Sequence, residues 1–225
     1  MTPRSIRLQC SGVLVVLAAV GLDAGGWAVI TVKDLPDFVV VGRPVTLAYA
    51  VRQHGRNLLT GLDGRLEMRL GAHAAYAAAV ATSESGHYSA TFTLPYAGDW
   101  RIDILSGFAG AMGTSRLVVH AIASGAPAPT VSEVERGRRL FNGKGCITCH
   151  THGAVGSGRV PVGPELTNRR YQPGYLNGFL ANPTQTQSAK FGEMMPDLDL
   201  RDSEIASLVA FINAERSEGL TAAGR

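Results

Sequence analysis

Two cysteines three positions apart, the second followed at once by a histidine, stand at Cys146-Ile147-Thr148-Cys149-His150. Thiols at that spacing can form thioethers with the two vinyl groups of a haem, and the adjacent imidazole can supply an axial nitrogen to its iron. Two other chemistries use cysteine pairs. A zinc site needs two further Cys or His ligands at suitable spacing. A thioredoxin-type redox pair sits at a strand-to-helix turn of a βαβ unit and has no obligatory histidine. The histidine and the flanking residues favour haem.

Iron held by one histidine takes a second axial group, and a thioether there raises the reduction potential. Met194 and Met195 are the candidates, and Met195 directly precedes Pro196. Met68 and Met112 read as core filling. His152 lies too close to His150 to reach the opposite haem face and reads as a loop residue. Lys144, Arg138 and Arg139 read as a solvated face, with a docking rim as the alternative. His54, His73, His87 and His120, with Met68 and Met112, are of types that copper favours. No two of these histidines stand at i, i+2 on one strand, so surface or structural roles are the plainer reading.

The chain has 225 residues, 45% of them hydrophobic and 17% charged, which is ordinary for a folded protein of one or two domains. Its net charge of +3 is spread over both halves, so no basic tract points to nucleic acid. Cys10, Cys146 and Cys149 are the only cysteines. With the last two committed to haem, no structural disulfide is expected. Arg4 and Arg7 precede an apolar run from Gly12 to Leu22, which has the charge and length of a secretory signal. The run is about half the roughly 20 residues a membrane span needs. Extending it would bury Asp23 at a cost of about 3 kcal/mol. A signal at residues 1–25, cleaved or kept as an anchor, is expected, and with it a periplasmic location and membrane association through the N-terminus.

From Trp27 to about Ala121 the apolar period is two, as in Val45, Leu47, Tyr49 and Val51 or Trp100, Ile102 and Ile104. Seven strands are expected, near 26–33, 45–53, 64–70, 75–82, 87–95, 99–105 and 115–121, which favours a β-sandwich over 26–122. The Ala-rich stretch at 74–82 would be helical on composition alone. Residues 123–131, with Ser124-Gly-Ala-Pro-Ala-Pro129, form a Pro/Ala linker. Beyond it the period becomes helical over 132–216, followed by a flexible tail at 217–225. Ser132-x-x-Glu135 is a capping box opening a helix to about Asn142. A shorter helix is expected near 173–180, and a last one from Asp202, its cap, to about Glu215. Gly137 on the apolar face of the first helix implies close approach of the last.

These residues resemble the class I (monohaem) cytochromes c. The match runs from Gly137-x-x-x-Phe141 through the Cys146–His150 motif and Gly163-Pro164-Glu-Leu166. It continues to Met195-Pro196 and Asp202-x-Glu204-Ile205-x-x-Leu208-Val209-x-Phe211. The resemblance implies one covalent haem c anchored by Cys146 and Cys149, with His150 and Met195 as axial ligands. It also implies that the Pro164 carbonyl orients the histidine ring. Arg201 stands where many members have Ser or Thr, so the cap of the last helix shifts by one if that difference matters. Asp34-Leu-Pro-Asp37, Gly42-x-Pro44 and Ala97-Gly98-x-Trp100 loosely resemble small exported Ig-like domains of the YtkA-like or FixH-like kind.

The expected fold is therefore two-domain, an all-β Ig-like sandwich followed by an all-α cytochrome c domain. The expected function is single-electron transfer by an exported c-type cytochrome rather than an enzyme. Its partners would be a redox donor and acceptor, such as a respiratory oxidase or dehydrogenase complex. The alternative is a haem-containing protein of copper handling, oxidase assembly or sensing.

Overall fold

The computed structural model describes residues 26–186 and 195–214. The expected signal at 1–25, the alternative ligand Met194 and the tail at 217–225 lie outside the described residues. The first half contains β1 (Ala28–Val32), β2 (Val39–Val40), β3 (Pro44–Gln53), β4 (Asn57–Leu58), β5 (Arg65–Leu70) and β6 (His73–Ala78). It continues with β7 (Val80–Ala81), β8 (His87–Thr93), β9 (Gly98–Leu105) and β10 (Thr114–Ile122). One sheet has the order β1-β3-β8-β7 with β4 paired to β3, and the other β2-β10-β9-β5-β6. Neighbours are antiparallel except β2 and β10, which run parallel.

Alternation decides the core. Leu47, Tyr49 and Val51 of β3, Tyr88 and Phe92 of β8, Leu66 and Met68 of β5, and Trp100, Ile102 and Ile104 of β9 are all buried together. Each contributes about 1.5–3 kcal/mol by leaving water. Met68 is a core residue as expected, whereas Met112 sits in the 3-10 turn Gly110–Gly113 and is exposed. The Ala-rich stretch is strand, because pairing of Leu66 with Ala77 and of Met68 with Ala75 overrides the helical preference of alanine. It also splits at Ala79, so that β6 and β7 belong to different sheets.

After the linker come α1 (Glu133–Gly143), α2 (Cys146–Cys149), α3 (Pro173–Ala181), α4 (Pro183–Thr186) and α5 (Asp202–Ile212). The expected all-α domain is not what forms. The fold is mostly β, with 33% strand and 23% helix, and the C-terminal region strings short helices along irregular chain. The stretch from Thr151 to Gln172 contains no helix, only an isolated bridge between His152 and Gly156. Gly153, Gly156, Gly158, Pro161, Gly163 and Pro164 explain why: glycine and proline break helical hydrogen bonding faster than the apolar period can sustain it.

The longer helices cross where expected. A Cβ built on Gly137 would collide with the Ser207 carbonyl oxygen and lie 2.6 Å from Phe211 Cβ, so only glycine permits this approach of α1 to α5. Ser132 caps α1 by accepting from the Glu135 amide. The cap of α5 is Arg201 and not Asp202, because the Glu204 carboxylate reaches back to the Arg201 amide at 3.1 Å. Leu140, Phe141, Cys146, Leu166, Leu176, Leu180, Leu208 and Phe211 form a second core. Val29 of β1 belongs to it. Strand β1 is thus buried on both faces, Ala28, Ile30 and Val32 inward and Val29 toward the helices.

Candidate functional site

The motif begins where α1 ends. Lys144 closes α1, its amide donating to the Leu140 carbonyl at 2.7 Å. Gly145 then turns the chain with φ +81°, in the left-handed region that favours glycine. Its α-carbon is pressed against β1, since a Cβ there would lie 2.6 Å from Val29 Cγ1 and 2.8 Å from the Ile30 carbonyl oxygen. The single turn α2 follows, and Cys146 and Cys149 at i and i+3 fall on one side of it. The His150 amide donates to the Cys146 carbonyl at 2.9 Å, and His150 itself is extended.

Three constraints hold the imidazole. His150 Nδ1 lies 2.9 Å from the Pro164 carbonyl oxygen. A carbonyl only accepts, so Nδ1 carries the proton and Nε2 is left with its lone pair. Gly163 lies flat against the ring: a Cβ there would be 2.5 Å from Cε1 and 2.6 Å from Nδ1. The Gly163 amide donates in turn to the Cys149 carbonyl at 3.1 Å. Burial lowers the His150 pKa, outweighing the opposing hydrogen bond to Pro164, so the ring is neutral at pH 7. Burial, with Cys149 beside it, pushes the Cys146 thiol up to about 12, so it stays protonated.

Met195 is half-buried and packs on the same apolar cluster as Cys146, Ile147 and Cys149. This donor set fits a haem. The bond from Nδ1 leaves the Nε2 lone pair as the ring's donor, two thiols share one side of a turn, a thioether joins the same apolar cluster, and a glycine lets the chain lie against the ring. The expected residues Cys146, Cys149, His150 and Pro164 are thus close together, and Met195 packs on the cluster that holds the two cysteines.

Other expectations need correction. Lys144 is not on a solvated face. It is buried, its ammonium 2.7 Å from Glu204 Oε1 and 2.9 Å from the Lys33 carbonyl oxygen. Burial alone would raise the Glu204 pKa, but hydrogen bonds from Arg201 and Lys144 outweigh it and hold it below its usual value. Arg139 donates to the Asp37 carbonyl and to Glu135, and Arg138 also binds Glu135. His152 lies in the irregular chain, and its ring packs there at a tilt, with centroids 4.3 Å from Phe211 and 5.8 Å from Phe141. Lys144, Glu204, Gly145 and Gly163 were missed as site supports. Glu204 could have been found from its capping position and Gly163 from its place before Pro164.

The copper-type side chains are dispersed. His54 lies by Trp27, His73 by Tyr96, His87 by the Ser85 carbonyl and His120 by Asp99. Among the described residues no group of three or more His, Cys, Asp or Glu could hold a metal ion, and no helix is long and apolar enough to cross a membrane.

Residues 132–212 match the family described as cytochrome C oxidase, cbb3-type, subunit III. A curated relative, cytochrome c oxidase subunit 2 of Alkalihalophilus pseudofirmus, is 28% identical over 94 residues. The alignment covers 38% of this chain and 27% of that protein, so the chain spans about a quarter of the length of the relative it matches. Among solved structures, E. coli alpha-2-macroglobulin is similar at a TM-score of 0.33 and 17% identity, over 44% of this chain and 6% of that one. A superoxide reductase (neelaredoxin) from Ignicoccus hospitalis is similar at 0.29 and 14%, over 42% and 83%. At these scores the structural likenesses carry no argument. The family match does: the C-terminal region carries a cytochrome c domain.

Proposed function

We propose that the chain transfers single electrons through one haem c held by thioethers to Cys146 and Cys149, with His150 and Met195 as axial ligands. The observation that carries this is the imidazole of His150, fixed by the Pro164 carbonyl and the flat face of Gly163 directly after the two-thiol turn. Bound haem supplies a ferric/ferrous couple of one electron. The residues do the rest. Cys146 and Cys149 would hold the group through thioethers to its two vinyl groups, each sulfur taking one vinyl carbon and the thiol proton the other. The Pro164 carbonyl holds the Nδ1 proton, which fixes the ring plane and makes Nε2 a better donor. Met195 would offer its thioether to the same group, and Leu166, Leu176 and Leu180, buried in the core on which Met195 packs, would help to exclude water there.

The partner class is a respiratory oxidase complex, because both the matched family and the curated relative are named as oxidase subunits. The chain works as an exported, periplasmic protein, either soluble or anchored by residues 1–25, with functional units at 26–122 and 132–216 joined by 123–131.

Purified protein, denatured and extracted with acidic organic solvent, should retain its haem, and a Cys146→Ser/Cys149→Ser protein should not. The ferric form should show the weak far-red band of methionine-ligated haem, and a redox titration should fit one electron. Met195→Ala should abolish that band while Met194→Ala keeps it. Extractable haem, or a band that survives Met195→Ala, would sink the reading.

A further inference from the structure

Gly55 is buried although it sits at the tip of the β3–β4 hairpin between exposed His54 and Arg56. What covers it is Pro196: a Cβ on Gly55 would lie 3.1 Å from Pro196 Cγ and 3.6 Å from its Cβ and Cδ. The tip is a firm seat. His54 and Gly55 are consecutive left-handed residues, with φ +51° and +73°. The Arg56 amide donates to Gln53 O, the Gly55 amide to Arg52 O, and the His54 amide to Trp27 O, at 3.0–3.2 Å. Trp27 stacks at a tilt on the His54 ring, and both Trp27 and Met195 pack on the second core.

The same sheet edge carries the other ligand-bearing segment. Gly145, one residue before Cys146, rests on Val29 and the Ile30 carbonyl. Val29 pairs with Arg52 and Ala28 with Gln53 in the β1–β3 ladder. The seat of the histidine segment and the seat of the Met195-Pro196 loop are therefore a few residues apart on two hydrogen-bonded strands. A ladder of this kind is stiff on the scale of loop motion.

We infer that the β1–β3 edge, with the His54-Gly55 tip, is a positioning device that holds the Met195 loop closed against the segment bearing His150. The inference rests on the axial-ligand reading given above. It assigns the β-region a role in the haem site itself, as a part that sets how readily Met195 leaves its place. Gly55 is a positioning residue: it touches Pro196, not haem.

The test is the rate at which cyanide, in excess, binds ferric holoprotein, since an external ligand must wait for Met195 to move away. Gly55→Val forces a branched side chain into a left-handed position and against Pro196. It should raise the cyanide rate about tenfold or more, with Gly55→Ala intermediate. Gly42→Val is the control, because Gly42 has φ +74° with nothing within 4 Å of its Cβ position, giving the same backbone strain with no neighbour. If Gly55→Val yields no holoprotein, the Ala variant carries the comparison. A wild-type rate in both Gly55 variants overturns the inference, as does an equal acceleration in Gly42→Val. Retention of the far-red band in Met195→Ala overturns the ligand reading instead, and the inference with it.

Discussion

Between Ala28 and Ile122 the chain is mostly strand, and outside β1 alternation decides which side chains are buried. Between Glu133 and Ile212 helices are short, and much of the chemistry sits off them, on His150, Pro164 and Met195. There the irregular chain is tied back to the motif by single bonds. Val160 N reaches Thr148 O, Gly163 N reaches Cys149 O, and Leu166 N reaches Thr151 O, at 2.8–3.1 Å. Long irregular segments of this kind are commonly functional. The first region is organised around its own core. The second is organised around a site, and it borrows support from the outer face of β1 through Val29, Gly145 and Lys144.

The strongest way to break this contrast is Lys144→Met. It removes the cation from the buried pair with Glu204 and the bond to Lys33 O, leaving a buried carboxylate short of a partner. Denaturant unfolding should show a loss of about 3–5 kcal/mol. A loss below about 1 kcal/mol would mean that the buried pair and its bond to Lys33 give the helices no such support. The pair also sets a pH dependence. The Glu204 pKa is lowered in the fold, so its stabilisation is complete above its ordinary value of 4.5 and drains away as pH falls through the folded value. Lys144→Met should flatten that acid limb.

Gly137→Ala sharpens the contrast from within the second region. The added methyl meets the Ser207 carbonyl, and overpacking of about 2 kcal/mol should outweigh the helical gain of alanine. A falling Tm with altered haem absorbance, and unchanged near-ultraviolet signal from Trp100, would place the damage on the helix side. Smallest is Arg136→Gln. The Arg136–Asp37 pair, 2.6 Å apart, joins the regions but each side chain is about a third exposed. The hydrogen bond from Arg136 lowers the Asp37 pKa against a modest burial effect. Solvent screening nonetheless limits the loss to about 0.5 kcal/mol, measurable as a small shift in the denaturation midpoint at low salt.

The same contrast explains what could be read from the residues. A period of two revealed the longer strands, because one face of each is buried. It could not reveal β2 or β4, which are two residues long, nor the split between β6 and β7, which depends on which sheet each meets. The Cys146–His150 motif is legible in local spacing, whereas Pro164 enters only through the resemblance to class I cytochromes c. The crossing at Gly137 was legible because glycine weakens a helix and sits on its apolar face where a neighbour comes too close for a side chain. Lys144 was not, since the Lys33 carbonyl that buries it lies 111 positions away. The all-α expectation failed for a related reason: helical periods at the two ends of the segment were extended across Gly- and Pro-rich chain that obeys neither period.

Burial of β1 on both faces changes what the linker means. Residues 123–130 are nearly all exposed. The two regions are joined through Val29, Lys33, Asp34 and Asp37 among others, residues that leave the ribosome about a hundred positions or more before their partners. The linker is a tether and not a hinge. A protease that cut it would leave two pieces still docked, whereas a truncation that removed β1 while sparing every residue of the haem motif would strip the second core of a wall.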